Sequence, residues 1–222
     1  MAKAAKQSSR KRAADRAGDA GTSRRDPVDV LLDLVAEQGW RRVTLAEVAA
    51  ASGLSLAALY QQYPSKTAML TAYAHRVDAA MLGALDQATP QMAENPDLAK
   101  DRLFEAIMSR LDALGAHKAA IRVLMRELPA DPPALACLLY GGLGPGLDWT
   151  LAAAGLDRPG LAGLLRRKAL GAVYLDVLRV WLKDESADLS ATMAHLDKRL
   201  GQAMRFLTGG GSFLHKRNKP AA

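Results

Sequence analysis

The sequence predicts an all-α fold of about nine helices. From Asp26 onward, apolar residues recur at the three- and four-residue spacing of helices, and no stretch alternates as a half-buried strand does. Proline lies one or two residues after a capping residue at Asp26, Asn95, Asp131 and Asp157, which marks helix starts. The chain has 222 residues, of which 50% are hydrophobic, and can bury a sizeable core. We expect a small N-terminal helical domain and a larger C-terminal one.

Local signals justify the elements in order. The first helix begins at Pro27 and ends at Gly39. Thr44 and Glu47 have the spacing of a capping box at the start of the second helix, and Gly53 ends it where a left-handed residue is needed. The later helices are predicted over 55–62, 66–88, 96–114, 117–128, 132–154 with an irregular glycine-rich middle, 158–183 and 187–207.

The positive charge of the chain is concentrated at its ends. The formal net charge is +7; residues 1–25 hold eight Lys or Arg against two Asp, whereas residues 26–208 hold 19 against 21 acidic residues. We expect residues 1–25 to form a disordered basic arm and residues 209–222 a flexible basic tail. Such arms usually accompany a nucleic acid or a membrane surface; simple solvated tails are the alternative.

The sequence argues against several other classes of protein. A single cysteine, Cys137, excludes a disulfide framework, and the four histidines lie too far apart for a regular metal site. The segment 141–146 is rich in glycine, but no strand precedes it and no Lys-Ser/Thr pair follows, as a phosphate loop requires. We expect no enzyme activity and no cofactor. We also expect a cytoplasmic protein without stable membrane insertion, since no apolar stretch is long enough for a signal or a span.

One segment indicates a function. Residues 44–70, TLAEVAAASGLSLAALYQQYPSKTAML, place two short helices around a turn at Gly53, as in a helix-turn-helix. Over residues 26–72 the Gly-x-Ser turn, the Leu-Tyr pair ending at Tyr60, the aromatic Tyr63 and the Lys-x-x-x-Leu opening at Lys66 resemble the DNA-binding domain of TetR-family regulators. The resemblance implies a homodimeric regulator, usually a repressor, that binds double-stranded DNA at an inverted-repeat operator and is relieved by a small apolar or lipid effector.

Candidate DNA contacts follow from this resemblance and from the chemistry of the side chains. Thr44, Tyr60 and Lys66 match backbone contacts of the family, each beside a helix start or on the recognition helix; aromatic packing is the alternative for Tyr60. Arg24 and Arg25 of the basic arm add phosphate neutralisation or minor-groove contacts. The outward positions of the recognition helix, 55–58 and 61–62, carry no Lys or Arg. The predicted base contacts among them are Ser55, Leu56, Ala57, Gln61 and Gln62.

Residues 73–208 are expected to form the ligand-binding and dimerisation domain. The helix over 158–183 is apolar on two faces, so one face should pack in its own subunit and the other on a second copy; burial wholly within one subunit is the alternative. The predicted dimer contacts are Val177, Trp181, Met193, Leu196 and Leu200. The predicted ligand contacts, which core packing explains equally well, are Met125, Tyr140, Trp149 and Tyr174.

A second resemblance covers residues 164–204. The strings Trp181-Leu-Lys-Asp184 and Leu196-Asp-Lys-Arg199, with Asp188 between them, resemble the C-terminal domain of COQ9 proteins. Those proteins have a TetR-like fold but bind lipids and assist ubiquinone biosynthesis. A COQ9-like lipid-binding protein without operator binding is therefore the main alternative function, and a helical scaffold is a further one.

Overall fold

The computed structural model describes residues 25–85 and 95–209, and these residues form ten α-helices and no strand. The all-α prediction is confirmed. The predicted arm and tail lie, except for Arg25 and Gly209, outside the described residues. The helices are α1 (Pro27–Gln38), α2 (Leu45–Ala51), α3 (Leu56–Gln62), α4 (Lys66–Ala84), α5 (Pro96–Gly115), α6 (Lys118–Glu127), α7 (Pro132–Leu138), α8 (Gly144–Ala153), α9 (Gly160–Trp181) and α10 (Ser190–Gly209).

Most of the predicted helix starts are confirmed. The carboxylate of Asp26 accepts a hydrogen bond from the amide of Val28 at 2.8 Å, and Asn95 and Asp131 cap α5 and α7 in the same way. The start near Asp157 differs. Helix α9 begins only at Gly160, whose φ of +70° is left-handed, so the chain turns once more before the helix forms.

The glycine-rich stretch divides one predicted helix into two. A π-helical turn over Leu139–Leu143 joins α7 to α8. Glycine is needed here because α8 passes close to α4: a Cβ on Gly142 would lie 2.9 Å from the Cβ of Ala74, and a Cβ on Gly146 would overlap the carboxylate of Asp78. That carboxylate forms a buried ion pair with Arg110 of α5. The glycines therefore let α4, α5 and α8 pack closely around the ion pair of Asp78 and Arg110.

This close approach predicts a large loss of stability for Gly146→Ala. The added methyl group would displace Asp78 from Arg110, which should lower the free energy of unfolding by about 1–3 kcal/mol. Urea denaturation followed by circular dichroism measures the change. The matched control is Gly201→Ala on α10, where nothing lies within 4 Å of the added Cβ and helix propensity should add roughly 0.5–1 kcal/mol. Equal stability of the two variants would contradict this explanation of the close approach between α4 and α8.

The two predicted domains share elements. Helix α4 begins in the N-terminal domain and continues into the larger one, so the predicted boundary at residues 72 and 73 falls inside a helix. Helix α1 packs against both α4 and α6. The buried residues of both domains form one continuous hydrophobic cluster, which fixes the N-terminal helices to the larger domain.

The predicted dimer contacts are corrected by the packing of α9 and α10. Four of the five side chains are buried within a single chain, and Val177 is 0% exposed, so they cover the core of their own subunit. Met193 is half-buried. The four predicted dimer contacts that are instead buried within one subunit are Val177, Trp181, Leu196 and Leu200. The apolar side chains that α9 and α10 leave exposed include Leu161, Leu165 and Phe206.

Candidate nucleic-acid interface

Helices α2 and α3 meet at a tight turn. Gly53 has a φ of +67°, which confirms the left-handed residue expected there. The amide of Leu54 donates to the carbonyl of Ala49 at 2.9 Å, and the buried hydroxyl of Ser52 donates to the carbonyl of Val48 at 2.7 Å. These bonds provide partners for carbonyl groups at the end of α2 and fix the direction in which α3 leaves the turn.

The inner sides of α2 and α3 are anchored in the core. Val48, Ala49 and Leu59 are buried, and Tyr63 packs against the same cluster, as expected for a core aromatic at that position. Helix α1, whose Val28 is also buried, packs against α2. A helix that has only two turns is held in place here by tertiary packing.

The outer side of α3 faces solvent. Tyr60 is 64% exposed, so its phenol is free to contact a partner and aromatic packing does not explain the residue. The other predicted DNA-facing side chains exposed on this helix are Leu56, Ala57, Gln61 and Gln62. Together they form a surface of amide, phenol and small apolar groups without charge, which is suited to base edges and thymine methyl groups.

Ser55 has a local role that limits its availability. Its hydroxyl oxygen accepts a hydrogen bond from the amide of Ala58 at 3.1 Å and so caps α3. Its hydroxyl proton and one acceptor lone pair are left for a partner.

The capping box predicted for Thr44 and Glu47 is confirmed, and it engages the Thr44 hydroxyl. That hydroxyl donates to the carboxylate of Glu47 at 2.8 Å and accepts from the amide of Glu47 at 3.3 Å. The amide of Thr44 also donates to this carboxylate, and these two bonds from Thr44 hold the pKa of Glu47 below its usual range. A closed capping box thus occupies the start of α2, and a phosphate would have to compete with an internal carboxylate.

The role of Lys66 is also revised. Its ammonium group donates to the carbonyls of Trp40 at 2.8 Å and Val43 at 2.7 Å, and it lies 4.4 Å from the centre of the Trp40 ring. Burial lowers the pKa of Lys66, although Asp131 and Glu47 oppose that shift. Lys66 therefore ties the start of α4 to the loop between α1 and α2, and two of its three donors are not available to DNA.

Two cationic residues that the sequence pattern did not single out lie in that loop. Arg41 and Arg42 are exposed and directly precede the capping box of α2, between the two carbonyls that Lys66 binds. Their position in sequence, next to a helix-turn-helix start, is the signal that could identify them. Of the predicted arm residues, Arg25 forms an ion pair with Asp33, and Arg24 lies outside the described residues.

The same loop is attached to the larger domain. The indole of Trp40 donates to the carboxylate of Asp131 at 3.0 Å, and the amide of Arg41 donates to Glu127 at 3.3 Å. The bond from Trp40 is the largest of the effects that lower the pKa of Asp131. Because Asp131 also caps α7, the position of α7 and that of the DNA-facing loop are linked through one carboxylate.

A second candidate site is a cavity in the larger domain. It has a volume of about 380 Å³ and lies between α4, α5, α6, α7 and α9. Met125 and Tyr174 line it, as predicted, but Tyr140 is 83% exposed and Trp149 57% exposed, and neither contributes to the lining. The π-helical turn and α8 direct these aromatic side chains away from this cavity, and the ligand contacts of Tyr140 and Trp149 stay predictions.

Residues 25–85 and 95–209 offer no metal site. No group of three or more His, Cys, Asp or Glu side chains in this part of the chain is arranged to hold a metal ion. The histidines form pairwise contacts, for example His195 with the carboxylate of Asp176 at 2.8 Å. Among the same described residues, no helix combines the length and apolar character that crossing a membrane requires.

Two segments of the chain match family models of known proteins. Residues 28–73 match the family model for bacterial regulatory proteins of the tetR family, and residues 165–207 match the COQ9 family model. One curated relative is the nucleoid occlusion factor SlmA of Glaesserella parasuis serovar 5 (strain SH0165), which is 33% identical over 82 residues. That match covers 36% of this chain and only 40% of the relative's length.

Solved structures extend the likeness over most of the chain. A TetR transcriptional regulator from Nitrosomonas europaea ATCC 19718 is 25% identical with a TM-score of 0.58, covering 80% of this chain and 95% of that one. A TetR transcriptional regulator from Rhodococcus sp. RHA1 has a TM-score of 0.53 at 16% identity, covering 80% of this chain and 92% of that one. At that identity the Rhodococcus structure shows a shared fold alone.

Two short helices around a left-handed glycine, with the second helix presenting a solvent-facing surface, define the class of helix-turn-helix DNA-binding proteins. The family match to residues 28–73 then makes the assignment specific. Residues 28–73 match the DNA-binding part of tetR-family regulators, the all-α fold is similar to that of a solved TetR regulator, and the C-terminal helices match the COQ9 model. Both resemblances predicted from the sequence are confirmed.

Proposed function

We propose that the protein is a homodimeric transcriptional repressor that binds an inverted-repeat operator and is released by an apolar or lipid effector. The observation that carries this proposal is the exposed outer side of α3, held rigidly above a buried helix-turn-helix core. A two-fold dimer would place two copies of α3 in major grooves on one face of the DNA, with half-sites about one or two helical turns apart.

The basic residues around α3 are proposed to supply most of the affinity for the phosphate backbone. The uncharged outer side of α3 cannot neutralise phosphates, whereas Arg41 and Arg42 lie exposed in the loop before α2. The basic residues within 1–25, which precede α1 in sequence, are proposed to add further phosphate contacts.

The link between α7 and the DNA-facing loop supports relief by an effector. Leu135 and Leu138 of α7 line the cavity, and Asp131 at the start of the same helix holds Trp40. A molecule that moves α7 would therefore also move the loop that carries Arg41 and Arg42. This arrangement gives the effector a short physical route to the DNA-binding surface, as a two-state regulator requires.

The dimer is proposed to form through the side of α9 and α10 that the core leaves exposed. Leu161 and Leu165 lie near the start of α9, and Phe206 lies near the end of α10, so the antiparallel helices bring them to the same end of the pair. Exposed apolar side chains grouped in this way are typical of a protein interface.

Gln62 is expected to discriminate between bases, and this tests the function. Its amide can bind adenine with two hydrogen bonds in the major groove, so Gln62→Ala should cost on the order of 1–3 kcal/mol on the preferred operator and little on unrelated DNA. Fluorescence anisotropy with the two duplexes measures both affinities. Tyr60→Phe is the matched control on the same helix: it should weaken both duplexes alike, because a phosphate contact carries no sequence information. Equal, weak binding of every duplex by the unaltered protein would contradict the proposed function.

The COQ9 match over residues 165–207 and the apolar cavity favour one alternative, a lipid-binding protein without operator binding. The two functions differ in a simple observation. A lipid-binding protein would be purified with lipid and would retain it in the presence of DNA, whereas a repressor would release DNA when its cavity is filled.

A further inference from the structure

We propose that the cavity binds an anionic amphiphile, such as a fatty acid, with its apolar chain inside the cavity and its charged head at Arg179. This inference names the effector class and so rests on the proposed function for its regulatory meaning. The binding itself depends only on the cavity.

The lining predicts the apolar part of the ligand. Most of it consists of aliphatic side chains from five helices, and its volume of about 380 Å³ lies near the small end of the range for small-molecule sites. The aliphatic side chains that surround the interior include Leu70, Val77, Leu114, Ile121, Leu124 and Leu178. Such a surface accepts a hydrocarbon chain, which is stabilised in proportion to the apolar area that it buries.

Of the described residues that line the cavity, only two are charged, and both are arginines. Arg110 is buried and forms an ion pair with Asp78, and its guanidinium lies 5.3 Å from the centre of the Tyr174 ring. Its charge is therefore already balanced inside the protein. A second carboxylate placed beside this pair would leave an uncompensated negative charge in the interior, which is costly. The head of an anionic ligand should not lie at the Arg110 end.

Arg179 differs from Arg110 both in its exposure and in the balance of its charge. It lies in the last turn of α9 and is exposed, and no ion pair joins it to a carboxylate within residues 25–85 and 95–209. The nearby carboxylate of Asp176 instead accepts a hydrogen bond from His195 at 2.8 Å and forms an ion pair with Arg199 at 2.8 Å. The aliphatic stem of Arg179 can therefore line the cavity while its guanidinium meets water and a ligand head at the rim.

The charge of the lining selects among ligand heads. A guanidinium binds a carboxylate through two parallel hydrogen bonds, so an acid gains both the apolar chain and the head interaction. A neutral alcohol gains only the chain. A lipophilic cation finds no carboxylate in the lining and meets two guanidinium groups, so it should bind worst.

Three probes with the same chain test this order in the full-length protein: decanoate, decanol and decylamine, titrated by isothermal calorimetry below their aggregation concentrations. Decanoate should bind tightest and decylamine weakest, and each methylene removed from the acid should weaken binding about fourfold.

Arg179→Gln should weaken decanoate binding roughly tenfold and leave decanol unchanged. Arg205→Gln on α10, which does not line the cavity, is the matched control and should change neither. Equal binding of the three probes, or no effect of Arg179→Gln, would overturn the proposal.

DNA binding measured without any probe separates this inference from the proposed function. If decanoate binds as predicted but the protein shows no operator, the cavity assignment stands and the repressor function fails. If the operator is bound but decanoate is not, the repressor function stands and the ligand class is wrong.

Discussion

Replacing Val177 by Asp should unfold the protein. This side chain is 0% exposed in a single chain, and an unpaired carboxylate at such a position costs several kcal/mol. Since a typical domain is stable by only about 5–15 kcal/mol, we expect the variant to lose most of its helical signal and its cooperative melting transition. Circular dichroism during a thermal scan measures both.

The matched control is the same substitution on the exposed side of the same helix. Leu165 is 58% exposed, so Leu165→Asp should fold normally and, if this side forms the dimer, should sediment as a monomer. A folded, monomeric Val177→Asp variant would restore the interface first predicted from the sequence. A folded, dimeric Leu165→Asp variant would show that the dimer forms elsewhere.

Removing the charges of Arg41 and Arg42 should weaken binding to DNA of any sequence. Each phosphate that the protein no longer neutralises should reduce the slope of log affinity against log salt by about 0.9, and the double alanine variant should bind roughly tenfold more weakly at moderate salt. Anisotropy titrations at several salt concentrations measure affinity and slope together. Arg205→Ala, an exposed arginine on α10 far along the chain from α3, is the control and should leave both unchanged.

The variant Lys66→Met shows, in the same assay, whether Lys66 positions the loop or contacts a phosphate directly. Its ammonium binds the carbonyls of Trp40 and Val43, so Lys66→Met should loosen the loop and reduce affinity while the salt slope stays nearly constant. A fall of about 0.9 in the slope would instead show that Lys66 contacts a phosphate directly, as the family resemblance implies.

The helices and the helix-turn-helix were predictable because their signals are local. A capping residue such as Asp26 acts within one turn, and the left-handed Gly53 marks its own turn. The partners of α9 were not predictable in this way. An apolar face at Val177 looks the same in sequence whether it packs on its own subunit or on a second copy, and only the tertiary arrangement of α9 and α10 decides.

The candidate site was predictable to a similar degree. The exposed side of α3, with Tyr60 and Gln62, follows from helical periodicity. The number of donors that Thr44 and Lys66 keep free for DNA does not follow from periodicity, because it depends on their hydrogen bonds to other groups of the chain. The bonds of Lys66 join it to residues more than twenty positions away in sequence. The outward direction of Tyr140 depends on a π-helical turn, which has no reliable sequence signal.

Selection of bound fragments from genomic DNA at physiological salt tests the central claim most directly. A repressor with this helix-turn-helix should enrich one inverted repeat whose half-sites lie about one or two helical turns apart. The same selection with Gln62→Ala should relax one base pair in each half-site. No enriched sequence, together with lipid retained by the purified protein, would contradict the repressor account and favour the COQ9-like function.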